Sequence, residues 1–257
     1  MDADPAPATP WSGALAVTEG AWCYVGALSD ARRHYHVATQ IVCARSGLFE
    51  LSDGQGRSLV TSAAVIASGR EHSIRVVDDV VDATLVFLDP AAPARSAVAG
   101  LLDSGDDVRQ WAAAGAVLGD IVGPAVHDPA MLLDRIRKPA DEQGPLGRDG
   151  WHPGVRAAVE LIAQTLPGTV RLSSIARAVS LSPGRLSRLF NEQVGQSVPT
   201  YVRWVRLRLA VESLQCGASL TDAAHAAGFT DSAHANRVCH EMFGLSPSEA
   251  SRNLVWA

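Results

Sequence analysis

The sequence predicts an α+β protein: an N-terminal β-barrel or sandwich with following helices, then an all-α domain in which two helix-turn-helix units are joined by a long helix. Three observations predict it. Residues 13 to 90 carry many short β-favouring runs between turn signals, with no helical period among them. From Ala91 the spacing of apolar residues becomes helical. Beyond a Pro- and Gly-rich stretch, a pattern of short helix, turn and second helix occurs twice between Leu172 and Gly244.

At 257 residues, 47% hydrophobic and with a formal charge of −5, the chain can bury a sizeable core. It has no apolar run of the roughly eighteen residues that a membrane helix needs, so no membrane partner is expected. Met1 to Trp11 carries acidic residues where an export signal needs basic ones, and no apolar stretch follows, so the expected location is the cytoplasm. Cys23, Cys43, Cys216 and Cys239 lack C-x-x-C spacing and read as reduced core thiols. The charge is divided unevenly. Met1 to His152 has 12 Lys+Arg against 20 Asp+Glu, whereas Pro153 to Ala257 has 10 against 7. A basic C-terminal part behind an acidic N-terminal one points to a polyanion partner for the former.

In chain order, strands are expected at Ala21 to Leu28, Gln40 to Ala44, Gly47 to Leu51, Ser58 to Thr61, Ala64 to Ala67, His72 to Val77 and Ala83 to Leu88. Asp53-Gly54, Ser68-Gly69 and Asp78-Asp79 supply turns. Short strands at this spacing argue for a closed or double sheet. Within it, His34-Tyr35-His36 with Gln40 and Gly47, followed by Ala67-Ser68-Gly69-Arg70-Glu71-His72, resembles the two motifs of the cupin family, H-x-H-x3-E-x6-G and P-x-G-x2-H. Gln40 stands in the Glu position and Ala67 in the Pro position. The resemblance makes His34, His36, Gln40 and His72 candidate ligands for a metal or a small molecule. Imidazoles suit zinc, iron, copper or nickel, but an amide is a poorer ligand than a carboxylate, and no cofactor is assigned. A metal-free barrel with an effector in its mouth is the first expectation, and a metal-binding cupin, sensor or enzyme, is the alternative. Trp22 and Cys43 read as ordinary core residues.

Helices follow at Ala94 to Leu102, Asp107 to Val122 and Asp128 to Arg137. Ala113, Val117, Leu118 and Ile121 share a face of the second, suited either to covering the barrel or to forming a dimer. Pro139 to Gly150 (PADEQGPLGRDG) is the linker, and its composition permits the flanking domains to move independently. The expected domains are therefore 1–95 sensor barrel, 96–138 helical segment, 139–152 linker and 153–257 C-terminal domain.

Pro153 to Leu166 is amphipathic, with Val155, Ala158, Val159, Ile162 and Leu166 inward. Leu172 to Val179 forms the first helix of the repeated unit. Ser182 is the N-cap and Pro183 the first residue of its second helix, which turns Leu186, Leu189 and Phe190 inward and leaves Gly184, Arg185, Ser187 and Arg188 exposed. Leu220 to Ala227, capped by Thr221, and Ser232 to Phe243 repeat the unit, with Ser232, Ala233, Asn236 and Arg237 outward. Arg pairs with guanine, Asn with adenine, and Ser with bases or phosphates, so the exposed set suits a DNA major groove. Val198 to Cys216, the connecting helix, has two apolar arcs, Val202-Val205-Leu209 and Trp204-Leu207-Ala210-Val211-Leu214, and should pack on both units. Its Arg203, Arg206 and Arg208 suit phosphates or a solvated side equally.

Leu172-x-x-Ile175-Ala176, Leu181-Ser182-Pro183-x-x-Leu186-Ser187-Arg188-Leu189-Phe190, Gly195, Ala224-x-x-x-Gly228-Phe229-x-Asp231-Ser232 and Arg237-x5-Phe243-Gly244-x-Ser246-Pro247-Ser248 resemble the AraC/XylS family of transcription regulators. Ala235 and Cys239 stand where that family usually has larger apolar residues. The resemblance implies a non-enzymatic, sequence-specific regulator that binds double-stranded DNA, answers to a small-molecule effector and dimerises through its N-terminal part.

Overall fold

A computed structural model describes residues 10–18, 20–92, 105, 107–122, 129, 131–132 and 150–257. The N-terminal half is built from β1 (Ser12–Thr18), β2 (Ala21–Leu28), β3 (Ala31–His34), β4 (Thr39–Ser46), β5 (Phe49–Asp53), β6 (Ser58–Thr61), β7 (Ala63–Ile66), β8 (His72–Val76), β9 (Val81–Leu88) and helix α1 (Val108–Val122). The C-terminal half contains α2 (Pro153–Thr165), α3 (Leu172–Ala178), α4 (Pro183–Val194), α5 (Val198–Gln215), α6 (Leu220–Ala226), α7 (Ser232–Phe243), α8 (Pro247–Ser251) and β10 (Leu254–Trp256).

The strands form a six-stranded sheet, β10-β1-β2-β9-β4-β7, and a four-stranded one, β3-β8-β5-β6. Between the sheets, Val42 and Leu85 meet Phe49, Leu51 and Ile74. On the other side of the large sheet, Cys23, Ile41 and Val86 pack under Ala114 and Leu118 of α1. Its central strands are thus buried on both faces, which is why they read as continuous apolar runs. The half-open β5 alternates instead.

Helix α1 starts where expected, with the Asp107 carboxylate accepting from the N–H groups of Arg109 and Gln110 at 2.8 and 3.0 Å. Its buried face is different. Val108, Trp111, Ala114 and Leu118 face the sheet, while Ala113 and Val117 face solvent, Val117 at 60% exposure. Gly115 explains the rotation: a Cβ there would collide with the Ala63–Ala64 backbone, so the helix rests on β7 through this glycine and the arc beside it. The Ile121 side chain lies outside the described residues, as do the expected helix Ala94–Leu102, the linker from 139 to 149, and all of Asp128–Arg137 except Pro129, Met131 and Leu132, which are helical.

Strands β1, β3 and β10 were not expected. SGALAVT and ARRH have little β-branched content, and LVW is short enough that only its parallel pairing with β1 defines it. In the helical half, Ser182, Ser197, Ser219, Asp231 and Ser246 each accept a backbone N–H at a helix start. The cap of α6 is Ser219, not Thr221. Its hydroxyl accepts from the Asp222 N–H at 3.1 Å and donates to the Asp222 carboxylate at 2.7 Å, so the helix begins before the apolar pattern does. Cys23, Cys43 and Cys239 are buried as expected, but Cys216 is exposed at the end of α5.

Val155, Ile162, Leu186, Phe190, Trp204 and Met242 belong to one hydrophobic cluster that continues into the barrel through Trp22, Val37, Ala38 and Ala91. The linker composition permits independent domains, yet the halves share a core. Trp22 is therefore more than a core residue of the barrel. It stacks on Trp204 (centroids 4.9 Å apart) and on Phe243 (5.8 Å), closing the barrel mouth against α5 and α7.

Candidate functional site

Each of the two second helices turns its apolar side to the shared cluster. Helix α4 buries Leu186, Phe190 and Val194, and α7 buries Ala235, Val238, Cys239 and Met242. What remains outside matches the sequence reading: Ser182, Gly184, Arg185, Ser187 and Arg188 are exposed on the first unit, and Ser232, Ala233, Asn236 and Arg237 on the second. Ser182 spends its hydroxyl as the N-cap, accepting from the Arg185 N–H at 3.3 Å. The Arg188 guanidinium lies 3.8 Å from Glu192 one turn along, a solvent-exposed pairing that costs little to open. Gly195 and Gly244 end the two helices in the left-handed conformation, with φ of 81° and 70°. His225 is exposed, and His234 Nδ1 lies 3.0 Å from the Thr230 hydroxyl at the start of α7.

Between the units, the arginines of α5 do not form a solvent-facing row. Arg203 donates to Glu241 at 2.6 Å, Arg206 has a buried Nε and its guanidinium is destabilised by burial, and Arg208 lies 3.8 Å from Asp89. Arg208 reaches the barrel through Asp89, whereas Arg203 is held within the helical half by Glu241 of α7. Asp89 is the anchor there and is 2% exposed. Its carboxylate accepts from the Trp204 indole N–H at 2.9 Å, from the Tyr201 hydroxyl at 3.4 Å and from the Ala91 N–H at 2.7 Å. Strand β3 ties the barrel to α7 as well: the Arg32 N–H donates to the Gly244 carbonyl, the Tyr35 N–H donates to the Glu241 carbonyl, and the Tyr35 hydroxyl donates to the Glu241 carboxylate. Of these interface residues, Gly244 stands in the C-terminal motif and Tyr35 in the cupin-like one, whereas Asp89, Tyr201, Trp204, Arg208 and Glu241 carry none.

The four cupin-like positions converge. His34 ends β3 opposite His72 at the start of β8, and His36 follows in the loop. Gln40 points inward in the same cross-strand row as Phe87 and Trp22. His34, His36, Gln40 and His72 are all at most 5% exposed, and one nitrogen from each imidazole falls within 4.8 Å of the others. The Nδ1–H groups of His34, His36 and His72 donate to the carbonyls of Arg32, Ala38 and Arg70 at 2.7, 2.7 and 2.9 Å. That assigns the tautomer: each Nε2 is left as a lone pair. Burial first, and the neighbouring imidazoles second, push His34 down to about 3 and His72 well below the usual range, and burial lowers His36 too. All three are neutral, as ligands must be.

Gln40 Oε1 lies 2.8 Å from His36 Nε2 and 3.0 Å from His72 Nε2. Two lone-pair nitrogens facing an oxygen need positive charge between them. Either the amide turns over so that its NH2 donates to both rings, or a cation sits among the four atoms. Three neutral imidazoles and an amide oxygen fit a borderline divalent ion such as zinc, iron, nickel or copper.

A helix-turn-helix domain family model matches residues 175–253. Over 79 residues the chain is 38% identical to YpdC, an HTH-type transcriptional regulator of Escherichia coli K12, and 38% identical to RhaR, an HTH-type transcriptional activator of Pectobacterium atrosepticum. Each match covers 30% of this chain and 28% of the relative, so the chain spans less than a third of either. The whole fold is similar to that of ToxT from Vibrio cholerae, with a TM-score of 0.57 at 13% identity over 90% of this chain and 97% of that one. A ToxT structure bound to an unsaturated fatty acid gives a TM-score of 0.58 at 12% identity, covering 90% and 95%. At such identity the likeness is one of fold. Residues 175–253 therefore carry a helix-turn-helix domain similar to those of these transcriptional regulators.

Proposed function

We propose that the chain is a sequence-specific, DNA-binding transcription regulator of the cytoplasm, without enzymatic activity, whose hold on DNA is set by a small molecule bound in its N-terminal half. The observation that carries this reading is the exposure of all nine recognition positions on two helices whose opposite faces are locked in one core. Arg188 and Arg237 are assigned to guanine or phosphate, Asn236 to adenine, and Ser187 and Ser232 to either bases or phosphates. Arg185 is assigned to the backbone. Gly184 and Ala233 leave room for close approach. Helix α5, 18 residues long, spans about 27 Å, which suits two units set near the roughly 34 Å spacing of successive major grooves. The ligand-bound ToxT structure supports an effector in this fold. Val117, at 60% exposure on the solvent side of α1, supports a homodimer through the helical segment. Fluorescence anisotropy with the upstream region of the chain's own gene tests the reading: saturable binding that outlasts competitor DNA supports it, and binding equal to that of random DNA contradicts it.

The buried histidines favour a second reading of the sensor, in which the effector is a metal ion held by His34, His36, His72 and Gln40. What supports it is the fixing of all three imidazoles by backbone carbonyls with their Nε2 lone pairs inward. A bound ion would supply positive charge among four acceptor atoms. The test is metal analysis of the purified protein with DNA binding measured before and after chelation. About one equivalent, lost in His36→Ala, together with chelator-sensitive DNA binding supports it. Substoichiometric metal and indifference to chelator contradict it.

A further inference from the structure

We propose that the barrel positions the second reading helix: strands β3 and β1 hold the segment from Glu241 to Ala257 at its two ends, and so fix the spacing at which two half-sites are read. The proposal rests on the reading of the chain as a DNA-binding regulator, and it names what sets the geometry of that reading. Aligned on their caps (Ser182 and Asp231), arginines (Arg188 and Arg237) and closing glycines (Gly195 and Gly244), the two units place Leu186 opposite Ala235 and Phe190 opposite Cys239. The first unit therefore holds its reading helix with two large side chains, both fully buried. The second has small ones at the same places, and a void of about 180 Å³ lies beside them, walled also by Val211 and Leu214 of α5 and Ala223 of α6. A helix that leaves such space against its neighbours gives up dispersion contacts, and its own unit holds it less firmly.

The barrel supplies the hold that the packing lacks. Helix α7 ends, like any helix, with carbonyls that no N–H of its own reaches. The Tyr35 N–H donates to the Glu241 carbonyl and the Arg32 N–H to the Gly244 carbonyl, each at 3.2 Å, so the barrel chain caps the last turn of α7. The Tyr35 hydroxyl donates to the Glu241 carboxylate, which Arg203 of α5 also engages at 2.6 Å. Beyond α8 the chain returns to the barrel. There β10 runs parallel to β1 with Gly13 opposite Leu254 and Leu15 opposite Trp256; the Gly13 N–H donates to the Asn253 carbonyl at 3.2 Å and the Ala257 N–H to the Leu15 carbonyl at 3.0 Å. Leu254 packs on the cluster between the sheets. Backbone bonds carry no side-chain freedom, so the pose of α7 follows the barrel. Next to α4, by contrast, the link is between side chains: the Gln196 amide donates to the Ser68 hydroxyl at 3.4 Å. Arg237 lies about one turn from Glu241, so a shift of that anchor shifts the reading side chain. Two extra base pairs would carry the second half-site about 7 Å along the duplex and about 70° around it, further than a fixed α7 can follow.

The test uses the full chain. Val255 is the middle residue of β10 and 65% exposed, so Val255→Pro takes an N–H from the ladder with little loss of packing, and Tyr35→Phe removes the hydroxyl bond to Glu241. Hydrogen exchange of the DNA-free protein should show the α7 amides exchanging about tenfold faster or more in the double variant, with the α4 amides unchanged and Val255→Thr, which keeps the strand, behaving as the unaltered chain. Fluorescence anisotropy then compares the native upstream site with the same site carrying two extra base pairs between the footprints of the two arms. The unaltered chain and Val255→Thr should prefer the native spacing by about tenfold or more, and the double variant by about threefold or less. Loss of stability alone would weaken binding to both DNAs alike and leave the preference intact. Unchanged α7 exchange, a rise shared equally by α4, no spacing preference in the unaltered chain, or the same preference in the double variant overturns the proposal. Absence of any specific binding contradicts the DNA-reading assignment instead, and the exchange result still decides whether the barrel holds α7.

Discussion

Asp89 is the residue on which the docking of the two halves can be tested most severely. Replacing it with alanine removes the acceptor of the Trp204 indole N–H, a group on a side chain only 1% exposed. It also leaves Arg208, 17% exposed, without its nearest buried carboxylate at 3.8 Å. A hydrogen bond to a charged group contributes about 1.5–3 kcal/mol, and stranding a buried donor costs about 1–3 kcal/mol. These overlap, so Asp89→Ala should destabilise the protein by about 2–4 kcal/mol. Asp89→Asn keeps an oxygen for the indole while losing the charge, and should cost about half as much. The assay is urea denaturation followed by tryptophan fluorescence, with Trp204→Phe and the double variant completing a cycle. A coupling of about 1–2 kcal/mol between Asp89 and Trp204 is expected. If Asp89→Ala lies within about 0.5 kcal/mol of wild type, or the two substitutions add without coupling, the carboxylate does not anchor the helical half.

Gly244→Ala would place a Cβ 2.7 Å from the Arg32 backbone nitrogen and 2.9 Å from His34 Nδ1 at a φ of +70°, so it should cost at least about 1–2 kcal/mol by thermal denaturation; an unchanged midpoint would show that α7 is not seated on β3. Ser219→Ala should cost about 0.5–2 kcal/mol and Thr221→Ala less than about 0.5 kcal/mol in chemical denaturation, and the reverse order would return the cap to Thr221. Phe190, fully buried in the first unit, should cost about 3–5 kcal/mol when cut to alanine, and a loss under about 1 kcal/mol would mean that α4 is not held by the shared cluster.

The helical half was readable in sequence because its signals are local. Ser182-Pro183, Asp231-Ser232 and Gly244 mark helix ends by chemistry that acts within three or four residues, and the apolar spacing fixes which side of α4 and α7 remains for DNA. The four cupin-like positions were readable as a motif, and their convergence follows from the pairing of β3 with β8 and of β4 with β9. The joint between the halves was not readable. Asp89 meets Tyr201 and Trp204 from 112 and 115 residues away, and no local preference encodes such a contact. The same joint draws Arg208 toward Asp89 and gives the second apolar arc of α5 the barrel as a neighbour, where the apolar pattern alone sets both arcs against the helix-turn-helix units. The buried face of α1 was misread because Ala113 and Val117 are as apolar as Ala114 and Leu118, and the close approach at Gly115 decided between them. Ala235 and Cys239, which stand where larger apolar residues are usual, are walls of a cavity.

Binding to the native upstream DNA by Arg188→Ala, Arg237→Ala and the double variant tests the central claim most directly. Both side chains are exposed, so the variants should fold as wild type does. Each single change should weaken the specific site by about 1–3 kcal/mol, and the double variant should lose about the sum, approaching its affinity for random DNA. A double variant that binds the native site as tightly as the unaltered chain would contradict the assignment of α4 and α7 as the helices that read DNA.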